Sequence, residues 1–403
     1  MLDTADVVVI GAGARGSAVA YYLAREGVDV ALVDRGFVAV GTTGATVALI
    51  NVSGKPPAEY TALSLASARL YPGLAEELGV DLQFESGRSL FRVILDPADL
   101  PAARDYAARQ SRVPGVEVRV LDAHETRQFA PELSPEIAGA LYCPQDGHLN
   151  PFQLAWGFVM TARRLGARFH HHSHVVGIRT TQSRVTSVVT TAGEISTRTV
   201  VNAAGVEVPS LGEMVGLSIP VVASRGQVVT TEALPRLFPG PIDSMRQTRA
   251  GPVLIGTTDE FVGYDTGVTP QALRQNVRRA MRIIPRLRMA RAIRCWAGLR
   301  PWPIDGLPIM GGVTGLEGYM TATGHSGITL SAITGRLTAD AIMGRAAGAL
   351  EPFGLSRFSE GRFHFPVESF KEFRRRYGGA ARVPAYASTG DAVAAVPTRH
   401  HRL

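Results

Sequence analysis

The apolar residues near the N-terminus change period twice within one short stretch. Val7 to Ile10 is an unbroken β-branched run, the pattern of a strand buried on both faces. Gly11, Gly13 and Gly16 follow, and Ala20, Leu23, Ala24 and Gly27 then recur every three or four positions along one helix face. Val28, Val30, Leu32 and Val33 return to strand and stop at Asp34. Asp6 to Asp34 therefore reads as strand, glycine turn, helix and second strand.

The same reading predicts a helix from Tyr60 to Leu78 that ends near Gly79, strands within Leu82 to Leu95 and at Val116 to Val120, and a helix from Pro97 to Arg112. A short helix before Pro131, the turn-rich LYCPQDGHLNP and a helix from Phe152 to Leu165 come next. Strands at Val185 to Thr190, Ile195 to Val201, Val221 to Thr231 and Pro252 to Thr257 precede a helix from Pro270 to Ile284. The arginines of that helix, Arg274, Arg278, Arg279 and Arg282, read as a solvated face. YMTATGHSGITLSAITGRLTADAIM closes the pattern with another strand, glycine turn and helix, whose face is Ile328, Ile333, Leu337 and Ala341.

The glycine spacing carries chemistry. Gly11 permits a tight turn, Gly13 lets backbone approach a pyrophosphate, and Gly16 lets the helix pack on the strand with its positive N-terminus toward the phosphates. Asp34 ends the second strand, where a carboxylate can take ribose hydroxyls. The glycine pattern alone is weak; with both strands, the helix and the acid in place it predicts a bound adenine dinucleotide. GFVAVGTTGATVALINVSG lacks a helical period, so its amides and the Thr42 and Thr43 hydroxyls are candidates for a second phosphate or a ribityl chain, with an ordinary surface loop as the alternative. Ala203, Ala204 and Gly205 are small enough for close approach to a ligand. Gly324 and Gly327 flank His325 and Ser326 at the start of the closing helix, where free amides and the helix dipole would face an anion or an electron-rich ring edge.

Composition narrows the class. A chain of 403 residues, 45% hydrophobic and 19% charged, predicts two packed domains of a soluble protein. No run approaches the roughly 18 apolar residues of a membrane helix, and Asp3 and Asp6 stand where a signal peptide would be basic, so a cytoplasmic location is expected. Cys143 and Cys295 are too few for a disulfide framework or the four thiolates of an iron–sulfur cluster, which would belong to a partner. Of the +7 net charge, Arg362 to Leu403 supplies eight Lys plus Arg against three Asp plus Glu. Most of the excess thus sits in the tail, and no nucleic-acid partner is expected. His170, His171, His172 and His174 raise a metal site, but no cysteine or nearby carboxylate joins them; they read as a solvated strand end, and no metal is expected.

Six segments in order resemble the D-amino-acid oxidase family of FAD-dependent amine oxidoreductases: VVVIGAGARGSAVAYYLAREG, GHLNPFQLAWGFVMTARRLGA, VVNAAG, RGQVV, CWAGLRPWPIDGLPIMG and TGHSGITLSAITGRL. Glycine oxidase, sarcosine oxidase and the flavin subunits of opine, hydroxyproline and cyanide-forming glycine dehydrogenases belong to that family. The resemblance covers roughly Val7 to Phe363. It implies an α/β fold in which a Rossmann-like FAD-binding domain (1–80, 145–220 and 297–350) is interleaved with an α+β substrate domain built on a mostly antiparallel sheet (81–144 and 221–296). Residues 351–403 remain as a basic C-terminal extension, loosely ordered or used for docking.

The resemblance also implies noncovalent FAD held by Gly11, Gly13, Ala14, Gly16, Asp34 and Arg35, with Thr42, Thr43 and Gly44 near the pyrophosphate and flavin. Val176, Ala204 and Gly205 would touch the adenosine half; Gly324, His325, Ser326, Gly327, Ile328 and Thr329 would touch the isoalloxazine. Arg300, in GLRP, would clamp the substrate carboxylate and set the adjacent C–H over flavin N5, a structural ion pair being the alternative. His325 would take a polar role beside the ring. Some family members carry a substrate-facing tyrosine near Ser244, absent here; Arg246, Asp259 and Glu260 offer charge instead, for a larger or more polar substrate or a subunit interface. Some attach FAD through a cysteine that would fall near Gly298, whereas Cys295 is expected to pack buried beside Trp296.

The expectation is oxidation of the C–N bond of a small amino or imino acid (glycine, sarcosine, proline, hydroxyproline, D-amino acid or opine type) by hydride transfer to flavin N5. The chain would act as the flavin subunit of a dehydrogenase complex, whose partner subunits carry further redox centres and could bring it to a membrane periphery. An oxygen-using oxidase releasing hydrogen peroxide, a noncatalytic flavin electron-transfer subunit and a nicotinamide-dependent dehydrogenase are the alternatives.

Overall fold

All four residues of Val7–Ile10 are buried, and their alternation decides what packs where. Val7 and Val9 join the core that contains the helices Ala14–Arg25 and Pro151–Arg164, whereas Val8 and Ile10 join a second core under the meander that begins at Val175. The strand pairs in parallel with Val30–Val33 on one side and Thr199–Asn202 on the other. Arg168–His170 and Leu316–Thr323 extend the parallel run outward, within a ten-stranded sheet. The computed structural model describes residues 3–345 and 348–362, so the expectations for the tail after Phe363 lie outside the described residues.

The opening helix, Ala14–Arg25, and the closing helix, Gly327–Ile342, lie directly against each other. Gly335 makes that approach possible: a Cβ there would stand 2.7 Å from the Ala18 carbonyl carbon and from the Tyr22 ring. The N-termini of both helices consequently open toward the same space.

A second, antiparallel assembly forms the other wall. Val221–Ala233 pairs with Ala292–Pro303 on one edge and with Pro252–Ile255 on the other. Leu90–Ile94, Gly139–Tyr142 and Arg119–Asp122 form a further antiparallel sheet. This is the expected α/β class with a mostly antiparallel second part. The boundary placed between 296 and 297 falls inside the strand Ala292–Pro303, which runs without interruption from the outer surface into the cavity wall.

Two local expectations change. The helix read from Tyr60 to Leu78 is two helices, Ala58–Ala68 and Tyr71–Leu78, because Pro72 starts a new helix; Gly79, at φ 66°, ends the second. Arg279 is not part of a solvated face: its guanidinium grips buried Asp243 at 2.6 and 2.7 Å.

Candidate active site

A cavity of about 1190 Å³ runs from the glycine turn after Val7–Ile10 to the strand Ala292–Pro303. At its first end, Asp34 accepts from the Ala12 and Gly36 amides, each at 2.7 Å, so its carboxylate shapes the glycine turn as well as facing the cavity. Arg35 reaches Glu207 at 3.2 Å, and Ala204, Gly205 and Val175 complete that end. Val176 does not line it. Strand alternation buries Val175 and leaves Val176 51% exposed, so the position expected one residue later is taken by its neighbour.

Gly11 and Gly13 line the middle of the cavity, and Gly11 does so under strict constraint. Its φ is +106°, and a Cβ there would lie 2.6 Å from the Ala203 carbonyl oxygen. Ala14 opens the helix and donates its amide to the Thr43 hydroxyl at 3.0 Å, while the Thr42 hydroxyl donates to the Leu299 carbonyl and ties the loop to the far wall. Gly16 and Gly44 lie behind the lining: the first packs on the Gly11 carbonyl, and the second fits between the Ala39 carbonyl and the Phe152 ring. Neither N-cap residue, Gly13 or Ser326, bonds a first-turn amide with a side chain of its own, and both helix N-termini face the cavity.

At the other end Gly324, His325, Ser326, Gly327, Ile328 and Thr329 all line the space. The His325 ring packs on Trp302 with centroids 4.7 Å apart, and Phe261 meets Trp302 edge to face. Arg300 projects from the same strand as Trp302 and lies over Gly226, where a Cβ would fall 2.2 Å from its Nη2. Its Nη1 donates to the Thr258 carbonyl and to Asp259, both at 2.9 Å, and its Nη2 donates to the Thr257 hydroxyl. The charged residues expected to offer polarity to substrate are therefore used elsewhere. Asp259 holds Arg300, Glu260 holds Arg225 and Gln227, and buried Arg246 donates to the Leu149 carbonyl. Burial without a carboxylate in direct contact lowers the Arg246 pKa to about 10. Aromatic surface comes from Phe261 and Tyr264 in place of a tyrosine near Ser244.

Cys295 is exposed, not buried beside Trp296, because adjacent strand residues face opposite sides. Trp296 turns inward and donates to the Ala45 carbonyl at 2.9 Å. The histidines also separate: His170 faces Asp3 at 3.3 Å, His171 and His172 pack around Phe37, and His174 reaches the cavity. Among the described residues no group of three or more His, Cys, Asp or Glu is placed to hold a metal ion.

Three residues at the site escape the sequence reading. Lys55 is 7% exposed, lines the cavity and donates Nζ to the Ser326 hydroxyl at 2.5 Å. Arg15 is 6% exposed and donates Nη2 to the His325 carbonyl at 2.8 Å; among the described residues its Nε and Nη1 find no partner. Burial lowers its pKa to about 10, which still leaves it charged at neutral pH. Asp146, fully buried, accepts from the Val52 and Ser53 amides and the Ser53 hydroxyl and so fixes the loop that carries Lys55. A signal existed for the first: the chain contains forty arginines and only two lysines, Lys55 and Lys371.

Comparison with known proteins decides the family. The model described as FAD dependent oxidoreductase, DAO, matches residues 6–341. The chain belongs to that family. It is 35% identical to hydrogen cyanide synthase subunit HcnC of Pseudomonas aeruginosa, across 84% of this chain and 92% of that one. It is 32% identical to an opine oxidase subunit of Agrobacterium tumefaciens, across 89% and 98% respectively. Glycine oxidase from Bacillus cereus has the same fold, with a TM-score of 0.81 at 30% identity over 88% of this chain and 99% of that one.

The protein is thus an FAD-dependent oxidoreductase, and the residues present suit FAD. Two helix N-termini face the cavity, Gly11 and Gly13 line it without side chains, and Arg15 holds unpaired buried donors beside Gly324. The cavity is long enough to join the Asp34 end to Trp302. Among the described residues no helix is long and apolar enough to cross a membrane.

Proposed function

We propose that this protein oxidises the C–N bond of a small amino or imino acid as the flavin subunit of a dehydrogenase complex. Bound FAD supplies the two-electron oxidation, and the chain supplies position and electrostatics. Gly11, Gly13, Ala14 and Thr43 would hold the diphosphate, Asp34, Arg35, Ala204 and Gly205 the adenosine end, and Gly324 to Thr329 the ring. The discontinuous division into 1–80, 145–220 and 297–350 against 81–144 and 221–296 is part of the same reading, as is a cytoplasmic setting.

The observation that carries the substrate class is Arg300. It is a guanidinium held rigid by Thr257, Thr258 and Asp259 in an otherwise aromatic and aliphatic wall made by Trp302, Phe261, Val47 and Val228. Such a cation orients a carboxylate, and the apolar surroundings exclude water from the adjacent carbon. The substrate binds with its amine unprotonated, because an ammonium cannot release its electron pair toward the breaking C–H bond. The partner-subunit part rests on similarity to chains named as subunits.

Anaerobic mixing of the yellow protein with glycine, sarcosine, D- and L-proline, hydroxyprolines and opines tests the reading by loss of flavin absorbance. Bleaching by at least one of them, with little peroxide formed once air is admitted, is the expected result. Rapid peroxide release would replace the dehydrogenase by an oxidase, and a colourless protein would sink the whole proposal.

A further inference from the structure

The loop from Leu49 to Lys55 is stitched to the first turn of the closing helix at two points. The Asn51 amide donates to the Thr329 hydroxyl at 3.1 Å, and Lys55 Nζ donates to the Ser326 hydroxyl at 2.5 Å. Ser326 lies 3.0 Å from Nδ1 of His325, whose ring packs on Trp302. Lys55 Nζ can only donate, so Ser326 Oγ accepts from it, and the same hydroxyl shares a hydrogen bond with His325 Nδ1.

The backbone around Lys55 is fixed from several sides. Asp146 holds Val52 and Ser53, the Gln110 side chain accepts from the Gly54 amide at 3.3 Å, and the Thr61 hydroxyl donates to the Lys55 carbonyl at 2.6 Å. Ser326 adopts φ 60°, ψ 40°, a left-handed conformation that costs a serine about 1 kcal/mol and persists only where surroundings impose it. A buried lysine on a rigid loop, meeting a strained serine at an uncapped helix N-terminus, is an arrangement built around charge. Lysine supplies that charge as a compact ammonium.

We propose that Lys55 is the fixed positive charge of the ring site: through Ser326 it adds a full ammonium to the partial positive charge of the helix terminus and so stabilises negative charge arriving on the bound flavin. The inference rests on FAD occupying this cavity as proposed above. Lys55 is a positioning and electrostatic residue, since it acts through Ser326 and the ring environment.

Sulfite reports this charge directly, because its addition to flavin N5 leaves negative charge on the ring and bleaches the visible band. FAD-loaded parent, Lys55→Met, Lys55→Gln, Lys55→Arg and Ser326→Ala are titrated with sulfite, and their two-electron potentials are measured against reference dyes. Lys55→Met and Lys55→Gln should lose at least tenfold in sulfite affinity, and their potentials should fall by about 30 mV for each tenfold change in the two-electron equilibrium. Lys55→Arg should recover most of the loss, and Ser326→Ala should show a smaller drop of about threefold. Parent-like sulfite affinity and potential in folded, yellow Lys55→Gln would overturn the proposal, as would a Lys55→Arg as impaired as Lys55→Met. If Lys55→Met fails to retain FAD, Lys55→Gln and Ser326→Ala decide the matter by the same readouts. A parent that never holds FAD refutes the functional reading instead, so the two failures are distinct.

Discussion

The N-termini of the opening and closing helices face one cavity and are built by opposite means. At Ala14–Arg25 the work is done by absent side chains: Gly11 at φ +106° and Gly13 expose bare backbone, and the only hydroxyl at the first amide comes from nearby Thr43. At Gly327–Ile342 the turn is clasped by side chains from far along the chain, Lys55 on Ser326 and Arg15 on the His325 carbonyl, and a serine rather than a glycine takes the left-handed position. The first end is a shape that a diphosphate can enter. The second is a charge distribution, and charge needs neighbours that glycine spacing does not reveal.

Substitutions at the two left-handed residues separate these designs most sharply. Gly11→Ala places a Cβ 2.6 Å from a backbone oxygen and demands a conformation alanine avoids. A loss of about 3 kcal/mol or more, with failure to retain FAD, is expected in thermal melts and flavin content. Ser326→Gly relieves backbone strain of about 1 kcal/mol, so its melting stays close to the parent while sulfite affinity drops. Equal destabilisation of the two variants would erase the contrast.

Arg300→Lys tests a position outside both helix ends. Losing the planar fork should cost about 2 kcal/mol in substrate capture, roughly thirtyfold in kcat/KM, with FAD content unchanged. Steady-state kinetics on any substrate that bleaches the flavin checks this; unaltered kcat/KM would remove Arg300 from substrate binding, and loss of FAD would mean that the wall and the cofactor site are one unit.

The same contrast explains what is legible in the sequence. Strand, glycine turn and helix are readable at Val7 to Gly27 because each depends on residues a few positions apart, and the closing helix is readable for the same reason. The cavity lining falls on Val175 and not Val176 because strand phase is set by pairing with Arg184–Thr190, not by the local run. Asp259 and Glu260 read as charge for a substrate or a subunit interface because their partners, Arg300 and Arg225, lie more than thirty positions away in sequence. Lys55 and Arg15 stay hidden for that reason too: each reaches a turn some three hundred residues onward.

The smallest expected effect is in pH dependence, and it probes the support beneath Lys55. Burial raises the Asp146 pKa from 3.8 to about 6, against the pull of its Ser53 and Val52 donors. The folded state therefore binds a proton that the unfolded state has lost, and this group makes stability fall as pH rises from about 4 to 6. His148, two residues on, behaves oppositely: burial and then Arg246 lower its pKa from 6.5 to about 4 although Glu85 opposes them. Its neutral form is favoured in the folded state, so its contribution grows as pH rises from about 4 to 6.5 and is lost as pH falls through that window. The two slopes oppose each other at up to about 1.4 kcal/mol per pH unit each, and urea unfolding of the parent should change little between pH 4 and 6. Asp146→Asn should leave only the rising slope, and His148→Gln only the falling one. Parallel slopes in the two variants would show that the loop carrying Lys55 is not held by a buried carboxyl poised in this way, and that the closing helix end gains its charge without the support assigned to Asp146.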